Sequence, residues 1–144
     1  MGPAAQLANY FWGVIINLGL AGLFIWLYFK GIHYHISYNA RLALLGLSLG
    51  FIHWGIHQAW FGRRWWLRVQ GSEDTYWYLQ NSWILSFSYI LLCLSAVICT
   101  TAILRGRFVD GVTQFVVLAV VWLVIAGIGY KTALSQAVIG MVGN

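Results

Sequence analysis

The chain has 144 residues, of which 61% are hydrophobic and only 8% charged, with a mean hydropathy of +0.77. A soluble globular domain carries about 25% charged residues, so there is too little charge here to clothe a water-facing surface. The net charge of +5 comes from basic residues set in ones and twos between apolar runs. That pattern excludes the basic stripe on a solvated domain that nucleic-acid binding needs, and it suits cations that snorkel to lipid headgroups.

The length suits one domain, residues 1–144. The pattern predicts an all-α integral membrane protein with four transmembrane helices and a short interfacial segment between the second and third. The first span covers residues 10–29. Tyr10, Phe11 and Trp12 open it and Trp26, Tyr28 and Phe29 close it, as the two interfacial aromatic belts require. Asn17 is its one strongly polar residue. With Gly13 and Ala21 it makes an i, i+4 series, a packing face from which an amide can hydrogen-bond to a neighbouring helix. The preceding residues hold no basic group and no small-residue cleavage site, so the span itself is expected to direct insertion. The connection that follows carries His33 and His35. An H-x-H pair without a Cys or carboxylate nearby does not complete a metal site.

The second span covers residues 39–62. At about 100° per residue, Asn39, Ala43, Gly46, Gly50, His53, His57, Trp60 and Arg64 fall on one side of a helix. Hydrocarbon cannot satisfy imidazole, so this face belongs against protein, a cofactor or water. Arg63, Arg64, Trp65, Trp66 and Arg68 follow as membrane-interface anchors, with rings at headgroup level and guanidinium groups on phosphates, until Gly71 breaks the run.

Ser72, Glu73 and Asp74 have the chemistry of a helix start, a hydroxyl cap followed by acids at the positive end of the dipole. One helix is therefore expected from about Glu73 to Leu104, with residues 80–104 crossing the membrane. Ser82, Ser86, Tyr89, Cys93, Ala96 and Thr100 form a small and polar stripe along it, expected to meet the similar stripe of the second span. Cys93 and Cys99 are six residues apart, roughly 9 Å along a helix and beyond disulfide reach. Asp110 is the expected cap of the fourth span, residues 112–130. The tail after Lys131 either extends that helix or lies on the surface. The basic residues flanking the spans divide evenly between the two sides, so the positive-inside rule gives no strong orientation.

Only one constellation carries chemical content: Gly46-x-x-x-Gly50 followed by His53-x-x-x-His57. The zinc-protease arrangement needs a glutamate between the histidines, and the run here is HWGIH. A b-type haem would need axial histidines, but no other span has one. His35 stands roughly 27 Å from His53 along a helix, so bis-histidine ligation would require a symmetric dimer. The remaining readings are that the histidines pack helices together or line a wet path in an oligomer. The candidate packing or pore-lining residues are thus Asn17, Gly46, Gly50, His53, His57, Ser86, Tyr89 and Cys93. No catalytic group, metal site or cofactor is expected, haem b on His53 and His57 being the alternative.

The short, basic, tryptophan-rich build with several spans is similar in size and composition to small phage-encoded membrane proteins, including holins. No specific motif enters that resemblance. The expected function is non-enzymatic: assembly in the bilayer, most concretely as a holin-like or pore-forming oligomer. The alternatives are a haem-b-binding membrane subunit of an electron-transfer complex and an accessory subunit of a larger membrane complex. The expected partners are the lipid bilayer and further copies or other membrane subunits, with no nucleic acid. The expected location is a bacterial inner membrane.

Overall fold

The computed structural model describes residues 2–71, 76–104 and 111–142, the last four of these as backbone only. Among the described residues there are five helices and no strand: α1 (Pro3–His33), α2 (Tyr38–Val69), α3 (Tyr76–Gln80), α4 (Ser82–Ile103) and α5 (Gly111–Val142). Four of them, all but α3, are long and apolar enough to cross a membrane. The chain is an all-α membrane protein of four spanning helices.

The helices begin and end for local reasons. Pro3 opens α1, where a missing N–H costs nothing. His35, at φ 57°, turns the chain between α1 and α2, and the Ser37 hydroxyl accepts from the Ala40 N–H to cap α2. At the other end of α2 nothing between Gly62 and Val69 breaks a helix. The Arg- and Trp-rich anchor segment therefore continues α2 for two further turns, and the helix stops only before Gly71, at φ 74°. The end of the predicted span, residue 62, and the end of the helix, Val69, are different places.

The helix expected to run unbroken from Glu73 to Leu104 is interrupted at Asn81, which takes φ −108°, ψ 21°. Both the backbone N–H and the side-chain amide of Asn81 donate to the Trp77 carbonyl, each at 2.9 Å. The Asn81 carbonyl accepts the Trp60 indole N–H at 3.0 Å. An asparagine that satisfies its neighbours in this way competes with the helix. The capping roles expected of Ser72, Glu73, Asp74 and Asp110 fall outside the described residues, as does the connection holding Arg105 and Arg107.

The spanning helices form an open row. α1 packs on α2, α2 on α4 and α4 on α5, while α3 sits against α4 and α5. At 1.5 Å per residue, α4 with its 22 residues is about 33 Å long and just crosses a ~30 Å hydrocarbon core. The other three are about half as long again and stand out of it. At the end where α2 and α4 meet α3, Trp60, Tyr78, Leu85, Ala133 and Ala137 bury one another. The Tyr78 hydroxyl donates to the Phe61 carbonyl at 3.3 Å.

Candidate functional site

The α2 stripe is turned inward against α4. A Cβ placed on Gly46 would fall 2.5 Å from Cys99 Sγ and 3.2 Å from the Ser95 carbonyl oxygen, and one on Gly50 would fall 2.9 Å from Ser95 Oγ. The missing side chains let the two backbones approach. Ser95 uses that closeness to donate to the Gly46 carbonyl at 2.6 Å. One turn further along α2, His53 is 1% exposed and Ser88 fully buried. His53 Nδ1 lies 2.8 Å from the Ser88 carbonyl and 2.6 Å from Ser88 Oγ. The Ser88 hydroxyl in turn reaches the His53 carbonyl at 3.2 Å. A carbonyl can only accept, so Nδ1 carries a proton and donates, while the hydroxyl donates back. The two residues thus clasp each other across the interface. His57 Nε2 and the Tyr89 hydroxyl share a longer bond of 3.3 Å. The edge of the Tyr89 ring also stands against His53, with centroids 4.9 Å apart.

A serine and a histidine at 2.6 Å invite comparison with a nucleophile and its base. A base must hold a lone pair toward the hydroxyl, and a substrate must reach Oγ. Here Nδ1 is the donor and Ser88 is enclosed, so the pair holds helices together.

Within one chain, His53 and His57 do not form the two axial ligands of a haem. They lie one turn apart on one helix with ring centroids 5.6 Å apart, so they cannot bracket a macrocycle. The approach to His53 is occupied by Ser88 and Tyr89. Among the described residues no three His, Cys, Asp or Glu side chains gather as a metal site.

The remaining sequence candidates are placed differently. Asn17 faces Gly55 of α2 through its Cβ, as a packing face requires, but hydrogen-bonds within its own helix. Its amide donates to the Gly13 carbonyl of its own helix at 2.6 Å. The α4 stripe through Ser86, Tyr89, Cys93 and Thr100 does not face α2 as a whole. The serine hydroxyls that reach α2 are those of Ser88 and Ser95, roughly 120–140° round the helix from the middle of that stripe. The stripe itself looks toward α5. The Trp122 indole donates to Thr100 Oγ1 at 3.2 Å, and Gly129 meets the Tyr89 ring. Tyr89 stands at the border and touches both neighbours. Cys93 and Cys99 are free thiols.

α2 has a second packing face. Ser48, Gly55, Gln58 and Gly62 recur at helical spacing on the side opposite His53, and they receive α1. The Ser48 hydroxyl donates to the Ala21 carbonyl at 3.0 Å. Gln58 covers Gly13, Leu18 covers Gly55 and Tyr10 covers Gly62. Phe24 and Phe51 stack with centroids 5.5 Å apart.

The anchor residues make cation–π contacts. Arg64 and Arg68 lie over Trp65 at 5.4 and 4.9 Å, and Arg63 lies over Trp77 at 5.6 Å. No family model, curated protein or solved structure matches the chain. Fold and seam together define a polytopic α-helical membrane protein whose buried polar groups join its own helices.

Proposed function

We infer that this protein is non-enzymatic and acts by assembling laterally in a bilayer, most concretely as a holin-like or pore-forming oligomer of a bacterial inner membrane. The open row carries the reading. The histidine and serine side chains between its spanning helices are engaged within the protomer, and its end helices turn apolar surface outward. Of the most apolar stretch, 6% in α1 and 17% in α5 is buried against protein, compared with 22% in α2 and in α4. Gly19 and Gly22 on α1 and Gly127 on α5 face open space, and small residues on an outward face let a neighbour's backbone come close. Because His53 is enclosed, a conducting path would run between protomers rather than through one.

Light scattering of the protein purified in mild detergent, paired with dye release from liposomes, tests this. The expected result is a homogeneous species of several copies and release that rises with protein density. A monomer that leaves liposomes tight would overturn it, and would favour the outward faces meeting other subunits of a larger complex.

A further inference from the structure

A groove of about 240 Å³ opens along the α1–α2 seam at the end where α2 carries its arginines. Where the two helices touch, Tyr10 meets Gly62 and Gln58 meets Gly13, and all of these but Gly13 line the groove. Phe11 and Val14 form an apolar wall, Ala59 contributes only a methyl group, and Gln58, Arg63 and Trp66 supply the polar groups. Arg63 and Trp66 lie four and seven residues beyond Ala59, roughly 6 and 10 Å nearer the end of α2. Along the membrane normal the groove therefore passes from hydrocarbon to aromatic ring and guanidinium.

Arg63 is the unusual member. One side of its guanidinium lies over the Trp77 ring. Its Nε is buried and has no acceptor among the described residues. A buried N–H donor without an acceptor is costly, and an anionic oxygen removes that cost. The three acidic residues of the chain, Glu73, Asp74 and Asp110, all lie outside the described residues.

We propose that this groove binds one anionic phospholipid, with an acyl chain on Phe11, Val14 and Ala59 and the phosphate on Arg63. Guanidinium matches phosphate oxygens in a planar, two-bond geometry. The apolar wall selects a lipid over a free anion. The Arg63 guanidinium repels a headgroup that carries its own cation, so a zwitterionic lipid binds less well.

The test uses the full chain in neutral detergent, with phosphatidylglycerol, phosphatidylcholine and inorganic phosphate as probes and native mass spectrometry as the readout. Phosphatidylglycerol is expected to bind more tightly than phosphatidylcholine, and inorganic phosphate not to displace it. Arg63→Gln should weaken phosphatidylglycerol roughly fivefold, the factor that about 1 kcal/mol per basic residue gives. Arg63→Lys should recover part of the loss. Arg68→Gln, whose guanidinium lies over Trp65 outside the groove, should change it little. Ala59→Phe fills the recess without changing charge and should weaken both lipids, which keeps the test decisive if Arg63→Gln does not fold. Equal affinity for the two lipids would overturn the proposal. So would equal losses in Arg63→Gln and Arg68→Gln, since that is diffuse attraction to a basic surface. Displacement by inorganic phosphate with no effect of Ala59→Phe would show a bare anion site instead.

Discussion

His53 is held by two partners at once, the carbonyl and the hydroxyl of Ser88, whereas His57 has one long bond to Tyr89. Interhelical hydrogen bonds in membranes average about 0.6 kcal/mol and reach about 1.7. His53→Leu should therefore lower the melting temperature in detergent clearly more than His57→Leu does, and equal effects would refute the ranking. Outside the spans, burial of the Tyr78 phenol raises its pKa from 10.0 to about 12. The folded state favours the neutral phenol, so this stability is whole below pH 10 and is lost as pH rises through 12. Melting curves at rising alkaline pH should fall more steeply for the wild type than for Tyr78→Phe. The sequence showed that His53, Gly46 and Gly50 share a face, because periodicity assigns faces. It did not show Ser88 as the partner. α4 carries two faces of small and polar residues, and the better-populated stripe is the one that meets α5.

Each interior helix is used on two sides. α2 gives the Gly46–His53 face to α4 and the Ser48–Gly62 face to α1, and the second was hidden because its few small residues are interleaved with bulky apolar ones. Glycine substitutions separate the two contacts. Gly50→Leu should disturb α2 against α4 and Gly55→Leu should disturb α1 against α2. Overpacking typically costs about 1–3 kcal/mol, so both variants should insert normally and melt earlier. Intact melting in either would show that its glycine faces lipid. The break at Asn81 was not legible, since its cause is the indole of Trp60, 21 residues earlier. Local propensity shows where a helix can stop, while a tertiary partner decides whether it does.

For the molecule as a whole, four long apolar runs with polar connections between them were enough to read four spans, because each run reaches bilayer length. The open row was not readable, because helix faces do not reveal whether the ends of a series close on each other. An even number of crossings puts the start of α1 and the α2–α3 connection on one side. In a Cys93→Ala, Cys99→Ala background, cysteines at positions 2 and 71 should react with an impermeant maleimide from the same side, and one at position 35 from the other. Labelling of positions 2 and 71 from opposite sides would refute the four-span fold.

Spanning helices that are neighbours in the row are also successive in the chain, and this bears on how the protein is made. Each spanning helix after α1 finds its neighbour in the row already in the membrane when it leaves the ribosome, while α3 waits for α4 and α5. Closure between the spanning helices is local, the condition under which chains fold fast. The α1–α2 hairpin can settle through Ser48, Gly55 and Gly62 before α4 exists, and α4 then docks on a surface already built. Synthesis from the amino end would add the protein to the bilayer one strip at a time, with the newest helix always at the growing edge.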